Sequence, residues 1–458
     1  MPSPSPSIPL RTPGLRRLHP GVIFIIAILA GFAFQPSASA LPSTASAPIG
    51  VKPGKPVPET WQLVQAFPHL SFQDPLMIIP VPRSTQLCVI TREGQVEFFD
   101  NNPNVRAKTL VLDLSSQCQA WNDCGLLGIA FHPDFGKPGS PNRGYFYAWY
   151  NYNAHPVPGP GTVSETIVTS DRLERFTISP GRTTAELKSG QVLIDQTDLS
   201  LWHNGGGMFF GSDGFLYLSL GDEGGENDSY GNSQRVDESL FSGVIRIDVN
   251  KNPKLSHPIP RQPVNGVTRN YFIPNDNPWV GRPDTLEEFY AIGLRSPHRL
   301  TYDATTNTIF CGEVGQNRVE SVDLIIKGGN YRWAYMEGNI GGPEAPPTTV
   351  IGTPQAPLYA YFHNAGNTCL IGGYVYRGTL VPKDDGQYIF GDNTSGNIFA
   401  LTGWLTGLPN VIQIASLPTG STDYSGLSSF GYDAKGNLYA CKLGVSNGMI
   451  YRLVPVTP

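Results

Sequence analysis

A histidine followed by three glycines is the residue in this sequence best suited to acid–base chemistry. His203 lies in the stretch Trp202–Asp222 (WHNGGGMFFGSDGFLYLSLGD), just before a run typical of a β-strand. Histidine is the commonest general base near neutral pH. The glycines would let the main chain approach a ligand closely. A lone histidine beside glycines is more often structural, so the other motifs must decide between the two interpretations.

Two further stretches carry charged groups beside turns. In Ala291–Asp303 (AIGLRSPHRLTYD), Arg295 stands at a turn, where its guanidinium could hold an anionic or carbonyl oxygen or form a structural ion pair. In Gly312–Trp333, Glu313 and Glu320 flank a turn rich in main-chain carbonyls. Oxygen ligands of this kind suit calcium, although no EF-hand pattern is present.

A fourth stretch, Asp123–Phe135 (DCGLLGIAFHPDF), begins with a carboxylate at the end of a loop. Asp123 precedes a predicted strand and could point into a channel, whereas His132 lies in a His-Pro-Asp turn and fits a capping role. The sequence contains no nucleophile elbow, zinc-protease motif or phosphate-binding loop, and no glycine fingerprint that follows a strand and opens a helix. These absences disfavour hydrolase and nicotinamide or flavin chemistry on those folds.

The elements that must position these residues are short strands. The chain has 458 residues, of which 51 are glycine and 42 proline, and only 15% are charged. Short β-rich runs recur around turn signals, and Gly214–Leu220 and Gly436–Lys442 repeat the same corner after an aspartate. The runs are Leu87–Phe99, Gly144–Tyr150, Gly214–Leu220, Asn307–Cys311, Gln387–Phe399 and Gly436–Lys442. The repetition predicts a six-bladed β-propeller over residues 61–458 rather than a pair of β-sandwiches.

The first forty residues are typical of a targeting segment. Arginines precede the apolar run Gly21–Phe34, and small residues end in Ala38-Ser39-Ala40. The pattern predicts a cleaved signal peptide (1–40), then a polar lead-in (41–60), and export to the periplasm or the exterior. A membrane anchor is the alternative, but the run is shorter than the roughly 20 residues that span a bilayer. No stable membrane span is expected after cleavage.

Charge and cysteine content narrow the remaining classes. The formal net charge is −5 and no basic stripe is present, which argues against nucleic-acid binding. The six cysteines show no metal-binding spacing. Cys118 and Cys124 are close enough in sequence for a local disulfide across a loop. The other four lie in or beside apolar strand-like runs, where buried free thiols are the simpler interpretation: Cys88, Cys311, Cys369 and Cys441.

Taken together, the motifs resemble the glucose/sorbosone dehydrogenase family of soluble quinoprotein sugar dehydrogenases. The resemblance rests on GLLGIAFHPDF (125–135), HNGGGMFFGSDGFLYLSLGD (203–222), GLRSPHRLTYD (293–303), EVGQNRVESVDLI (313–325), GGNYRW (328–333) and GGYVYRG (372–378). It implies a six-bladed propeller with pyrroloquinoline quinone (PQQ) on the axis and calcium bridging quinone and protein. Hedgehog-interacting-like proteins belong to the same superfamily.

The resemblance assigns roles to particular residues. His203 matches the catalytic histidine, which takes the proton of the sugar's anomeric hydroxyl. Arg295 matches the arginine beside the quinone carbonyls. Gly315 and Gln316 match the pair whose main-chain carbonyls bind calcium. Asp123 takes the position of a side chain near substrate and quinone.

Other positions of the resemblance depart from the glucose enzymes. Glu320 matches an acidic residue at the quinone's rim. Ser296 replaces an asparagine and Val314 a glutamine, both at cofactor-facing positions, and Trp202 replaces an aspartate. Asn393-Thr394-Ser395 and the loop Thr422–Leu427 lack the lysine and arginines that grip the quinone carboxylates.

The sequence therefore predicts PQQ-dependent oxidation of an aldose to its lactone, with electrons passed to a separate acceptor. The alternative is a non-catalytic secreted propeller that binds a glycan or a protein. His203 and Arg295 favour the enzyme. The missing cations favour the alternative.

Overall fold

Short strands make up nearly all the regular structure of the computed structural model. It describes residues 61–157, 167–364, 366–418, 426–445 and 447–456. The predicted signal peptide, the lead-in and most of the loop Thr422–Leu427 lie outside the described residues. In the part that is described, no helix has the length and apolar character needed to cross a membrane.

The strands follow one another along the chain with three short 3₁₀ helices between them, at Leu187–Ser189, Pro382–Asp384 and Trp404–Thr406. In chain order the strands are β1 (Trp61–Gln65), β2 (Pro75–Pro80), β3 (Gln86–Thr91), β4 (Gln95–Asp100), β5 (Thr109–Asp113), β6 (Leu126–Phe131), β7 (Tyr145–Tyr152), β8 (Thr169–Thr177), β9 (Gln191–Asp198), β10 (Met208–Phe210), β11 (Leu216–Leu220), β12 (Gly243–Ile247), β13 (Ser256–Pro258), β14 (Gly266–Thr268), β15 (Phe272–Pro274), β16 (Phe289–Ile292), β17 (Pro297–Asp303), β18 (Thr308–Glu313), β19 (Val319–Leu324), β20 (Gly329–Asn330), β21 (Met336–Glu337), β22 (Ile340–Gly341), β23 (Thr353–Pro354), β24 (Tyr359–Phe362), β25 (Leu370–Val375), β26 (Tyr388–Asp392), β27 (Asn397–Thr402), β28 (Asn410–Ser416), β29 (Leu427–Tyr432), β30 (Leu438–Lys442) and β31 (Met449–Pro455).

Successive strands form successive sheets. Sheet 1 is β2-β3-β4-β5, sheet 2 is β6-β7-β8-β9-β14, and sheet 3 is β10-β11-β12-β16-β20-β23. Sheet 4 is β17-β18-β19-β24, sheet 5 is β25-β26-β27-β28, and sheet 6 is β29-β30-β31-β1. The pairs β13-β15 and β21-β22 stand apart as small ribbons. Sheet 6 thus takes its outermost strand from the other end of the described chain.

The first strands of these sheets form a closed ring. β2 contacts β6, β6 contacts β10, and β10 contacts β17; β17 contacts β25, β25 contacts β29, and β29 returns to β2. The inner strand β6 is a continuous apolar run (LLGIAF) that is buried throughout, as expected for a strand covered on both faces. The all-β propeller predicted from the sequence is confirmed.

The repeated corners are built by aspartate side chains. Asp213 Oδ1 accepts the amide of Phe215 at 3.1 Å, and its Oδ2 accepts the hydroxyl of Tyr217 at 2.8 Å. Asp433 Oδ1 accepts the amide of Lys435 at 2.9 Å in the equivalent turn, and its Oδ2 lies 3.3 Å from the Tyr439 hydroxyl. The two corners recognised in the sequence are therefore the same type of turn, in which an aspartate carboxylate accepts a main-chain amide and contacts a tyrosine hydroxyl.

Two cysteines do not form the bridge that the sequence left open. Cys118 and Cys124 are both free and buried. The Cys118 thiol faces the main-chain carbonyl of Arg92 at 3.8 Å, whereas the Cys124 thiol faces that of Leu201 at 3.7 Å. The two sulfur atoms therefore have separate partners, and the local disulfide that the sequence allowed is not formed.

A buried arginine ties four of the inner strands together. Arg299, in β17, donates from Nη1 to the Leu127 carbonyl of β6 at 2.9 Å. Its Nη2 donates to the Leu76 carbonyl of β2 at 2.9 Å and to the Ser428 carbonyl of β29 at 3.3 Å. Burial lowers the pKa of this guanidinium to about 10, so it remains charged at neutral pH. Sheets 1, 2, 4 and 6 therefore share one cation.

We expect Arg299→Met to lower the free energy of unfolding by at least about 3 kcal/mol, because the buried Leu76 and Leu127 carbonyls lose the Arg299 donor and the Ser428 carbonyl keeps only its contact with His298. Arg143→Met, on an exposed side chain between β6 and β7, is the matched control and should change it by less than about 0.5 kcal/mol. Unfolding in denaturant measures the free energy of unfolding of both variants. If Arg299→Met were as stable as Arg143→Met, the hydrogen bonds of Arg299 would contribute nothing to stability.

The neighbouring histidine should make the fold sensitive to acid. Burial lowers the pKa of His298 to about 3 from an ordinary value of 6.5, so the unfolded chain binds a proton that the folded chain refuses between these limits. The free energy of unfolding therefore decreases as the pH is lowered below 6.5. We expect the advantage of the wild type over His298→Gln to shrink by roughly 2 kcal/mol between pH 7 and pH 5. Unfolding titrations at several pH values measure it, and a constant difference would contradict the idea.

Candidate active site

His203 lies in the loop between β9 and β10 with an unusual backbone conformation. Its φ is 64°, in the left-handed region that few residues other than glycine adopt. The conformation is held by the carboxylate of Asp123, whose Oδ2 accepts the His203 amide at 3.1 Å. Asp123 thus contacts the main chain of His203, which the sequence did not reveal, and its place near substrate and quinone stays a prediction.

The imidazole is oriented by a buried carboxylate. His203 Nδ1 lies 2.6 Å from Oδ1 of Asp222, which is 0% exposed. The other oxygen of Asp222 accepts the indole N–H of Trp333 at 2.7 Å, and Oδ1 also accepts the amide of Gly224 at 3.0 Å. With its proton on Nδ1, the neutral ring presents the lone pair of Nε2, which has no hydrogen-bond partner among the described residues. This is the arrangement of a general base.

Arg295 lies beside this group. Its guanidinium carbon is 5.5 Å from the centre of the Trp333 ring. Nη1 donates to the carbonyls of Val314 at 3.2 Å and Gly315 at 2.9 Å, whereas Nε is buried without a hydrogen-bond partner. Arg295 thus contacts main-chain carbonyl oxygens, and no ion pair of its guanidinium is found among the described residues. Its Nε is a buried donor without an acceptor, and a contact with a ligand oxygen stays a prediction.

A buried glutamate fixes the turn that carries Arg295. Glu313 Oε1 accepts the amides of Arg295 and, at 3.2 Å, of Ser296, while its Oε2 is buried without a partner. Burial, together with the nearby carboxylate of Asp323, raises the pKa of Glu313 well above its ordinary value. Burial also raises the pKa of Asp323 to about 7. Protonated carboxyl groups are therefore favoured directly behind Arg295.

The turn after β18 is organised by a glutamate that the sequence did not reveal. Glu337 Oε1 accepts four successive amides, those of residues 316 to 319, at 2.8–3.1 Å. This places the amides of the turn toward Glu337. Gln316 also exchanges two hydrogen bonds with Asn227, at 2.7 and 2.8 Å, which joins the turn to the loop after β11.

Glu320 lies behind the same turn. Its side chain is 0% exposed; Oε1 accepts the Gly315 amide at 3.2 Å and lies 2.7 Å from His363 Nε2, while Oε2 accepts the Leu370 amide at 2.8 Å. Burial raises the pKa of Glu320, and the hydrogen bond to Glu320 raises that of His363. These contacts use both carboxylate oxygens in joining sheet 4 to sheet 5.

The three glycines after His203 serve packing. A Cβ at Gly205 would lie 2.3 Å from the Ser219 carbonyl, and one at Gly207 would lie 2.0 Å from the Leu300 amide nitrogen. Their neighbours are the main chains of β11 and β17. Packing against adjacent inner strands therefore accounts for Gly205 and Gly207, and close approach of a ligand to this main chain stays a prediction.

The structure thus brings His203, Asp123, Arg295, Val314 and Gly315 into one region, with Ser296 on the turn beside Arg295. Sequence reasoning missed Asp222 and Trp333 as partners of the histidine. Both lie in motifs that were recognised, at the end of β11 and in GGNYRW, but nothing local shows that they meet.

A family model described as Glucose / Sorbosone dehydrogenase matches residues 72–263 and 264–402, which is most of the described region. The chain belongs to the glucose/sorbosone dehydrogenase family. The resemblance inferred from the sequence motifs is confirmed.

The chain is similar to proteins with two kinds of name, some called HIPL or Hedgehog-interacting protein and others called sugar dehydrogenases. The HIPL1 protein of Arabidopsis thaliana is 29% identical over 446 residues, covering 83% of this chain and 61% of its own length. The human Hedgehog-interacting protein is 28% identical, covering 81% and 49%. Quinoprotein glucose dehydrogenase B of Acinetobacter calcoaceticus is 25% identical, covering 47% and 40%. The chain therefore spans less than two thirds of the length of these relatives.

Among solved structures, one of a glucose dehydrogenase superposes with a TM-score of 0.63 at 19% identity, over 86% of this chain and 99% of that one. At this level of identity the likeness shows the fold.

We expect Glu337→Gln to loosen the turn after β18, because a charged acceptor of four amides becomes a neutral one. Amide hydrogen exchange of residues 316 to 319 should quicken by about tenfold or more, as for a local loss of about 1.4 kcal/mol. Exchange followed by mass spectrometry measures it. Glu344→Gln, on an exposed side chain further along the same connection, is the control. Equal exchange in the two variants would contradict the role of Glu337.

Proposed function

We propose that this family member oxidises an aldose to its lactone with PQQ as oxidant and His203 as general base. The observation that carries the proposal is the buried chain from Trp333 through Asp222 to His203. A carboxylate that fixes the histidine tautomer and leaves the second nitrogen free is the arrangement that proton abstraction requires. The relative named a quinoprotein glucose dehydrogenase supports the same reading.

The residues present fit one end of a flat anionic quinone. The buried, unpartnered Nε of Arg295 offers a donor to an oxygen of the cofactor, and the Arg295 charge would oppose negative charge that develops there. Asp123, Ser296, Val314 and Gly315 lie at the remaining cofactor-facing positions. PQQ, when bound, supplies a two-electron acceptor.

The far end of the quinone has weaker support. At residues 393 to 395 the amides of Thr394 and Ser395 both donate to Asp392 Oδ1 at 3.0 Å, and the sequence there offers no cation. Each charge-assisted hydrogen bond that is absent costs about 1.5–3 kcal/mol. We therefore expect PQQ to bind less tightly than a fully clamped quinone would.

Calcium does not fit the proposed ligands in this arrangement. Of the expected pair Gly315 and Gln316, the Gly315 carbonyl already accepts a hydrogen bond from Arg295, so a metal ion there would be held against a guanidinium. No group of three or more acidic, histidine or cysteine residues that could bind a metal is found in the described part of the chain. The proton transfer assigned to His203 does not involve calcium.

The protein's own part in the reaction follows from its hydrogen bonds. His203 Nε2 takes the proton of the anomeric hydroxyl, and the resulting imidazolium is stabilised by the buried Asp222 carboxylate. Loss of this proton promotes departure of the C1 hydrogen as hydride and yields the lactone. Asp123 holds the His203 main chain, and Glu313 holds the turn that aims Arg295. Glu320 has a positioning role, because its oxygens fix Gly315 and Leu370.

We also infer that the propeller has six blades, one for each inner strand of the closed ring. We further place the protein outside the cytoplasm, as the amino-terminal segment predicts. Its electrons would pass to a separate acceptor molecule.

A second candidate is a propeller that binds a glycan or a protein without catalysis. The absence of cations at residues 393 to 395 favours it, and so does the kinship with a protein named for interaction with Hedgehog. In that case the fold and the buried histidine would be retained for structural reasons.

The full chain, loaded with PQQ, should reduce an artificial dye with at least one of a panel of aldoses. His203→Ala should lower kcat by about a hundredfold to ten-thousandfold, and Asp222→Asn should lower it in the same direction with little change in KM. His155→Ala, on an exposed histidine distant in sequence, should leave activity unchanged.

Two results would count against the proposal. Absence of activity with every sugar, together with no quinone absorbance retained by the protein, would favour the non-catalytic candidate. Full activity of His203→Ala would remove the mechanism.

A further inference from the structure

A large groove lies outside the region of His203 and Arg295. Its volume is about 820 Å³, and its lining includes Tyr230, Tyr335, Gln234 and Arg282. Ligand sites typically have volumes of about 300–1,000 Å³, so this groove could hold a ligand of several rings. None of its lining residues was assigned a role by the sequence motifs.

The groove and the His203 site share a wall. Gln234, which lines the groove, donates to the main-chain carbonyl of Trp333 at 2.5 Å, and the indole of Trp333 donates to Asp222 on the other side. The loop after β11 contributes to both regions as well. Its Asn227 bonds to Gln316 beside the Arg295 turn, while Tyr230 lines the groove.

The aromatic groups of this wall suit sugar rings. Tyr230, which lines the groove, is 39% exposed, and Trp202, outside the groove lining and next to His203 in sequence, is 41% exposed. Aromatic rings present an apolar face for the C–H surface of a sugar together with a polar edge. The hydroxyl of Tyr335 is buried without a hydrogen-bond partner, which is costly unless a ligand supplies one.

Acidic side chains outnumber basic ones along the groove, and several of them have partners within the protein. Arg235 pairs with Asp237 and Glu238 at its edge, and the Asp228 carboxylate accepts the Ser233 hydroxyl at 2.5 Å. Asp284, at another edge, pairs with Arg261. The lining as a whole carries four carboxylates, those of Asp228, Asp237, Asp284 and Glu344, and only two guanidinium groups, those of Arg235 and Arg282. An excess of carboxylates repels a phosphate or an acidic chain, whereas a neutral polar ligand meets no such repulsion.

We propose that this groove binds a neutral oligosaccharide, whose reducing end is presented to His203. The binding site stands on the groove itself, whereas the orientation of the chain rests on the proposed function. The aldose that the protein oxidises is then the terminal unit of a longer chain. Tyr230 packs against one sugar ring, and the Tyr335 hydroxyl bonds to a sugar hydroxyl.

Binding is measured first, by calorimetry on the full chain without PQQ. The probes are neutral reducing tri- to hexasaccharides of malto-, cello- and xylo-type, the corresponding monosaccharides, and one uronate-containing oligosaccharide. At least one neutral oligosaccharide should bind about tenfold or more tightly than its monosaccharide. Tyr230→Ala and Tyr335→Phe should each weaken it by about fivefold or more, as for one stacking contact or one buried hydrogen bond. Tyr302→Phe, distant from the groove, is the matched control and should bind as the wild type does.

The outcomes separate the groove from the reaction. Equal affinity for oligosaccharides and monosaccharides, preference for the uronate chain, or wild-type binding by both groove variants would overturn the proposal. Tight oligosaccharide binding without dye reduction in the PQQ-loaded protein would support the groove and count against the dehydrogenase function. Oxidation of oligosaccharides with an unchanged kcat/KM in both groove variants would retain the dehydrogenase and overturn the groove.

Discussion

The guanidinium of Arg299 is the contact on which the arrangement of the site depends. It draws main-chain carbonyls from sheets 1, 2 and 6 toward a strand of sheet 4. The turn that carries Arg295 enters that same strand, and Gly207, close after His203, packs against the Leu300 amide next to Arg299. The loop that carries His203 and the turn that carries Arg295 therefore both pack next to the buried guanidinium of Arg299.

Much of the fold was predictable because its signals are local. Each of the six predicted strand runs covers most or all of the second strand of a sheet, and an aspartate, a turn and a tyrosine within a few residues specify two of those corners. The partners of His203 were not predictable in this way. Asp222 meets Trp333 across 111 residues, and Glu337 meets the turn after β18 across about twenty. Such contacts follow from ring closure, which no short segment encodes.

The excess of glycine has a different meaning from the one that the motif suggested. Gly205 and Gly207 allow inner strands to approach one another, so they would be required whether or not a cofactor binds. The argument for catalysis therefore rests on the buried carboxylate and its histidine rather than on the glycine-rich motif. A relative that kept the glycines but lost the carboxylate would keep the fold without the base.

The pairing of β1 with β31 decides how the ring responds to force. Trp61 lies opposite Pro455 and Gln65 opposite Tyr451, so the outer ends of both strands lie at the same end of the pair. A force applied at Trp61 and Pro455 would break the hydrogen bonds between β1 and β31 one after another, because the force acts on the nearest pair first. The first pair is reinforced by the indole of Trp61, which donates to the buried Asp384 carboxylate at 3.0 Å. The hydrogen bond of the Trp61 indole to Asp384 must therefore break before β1 can separate from β31 at this end.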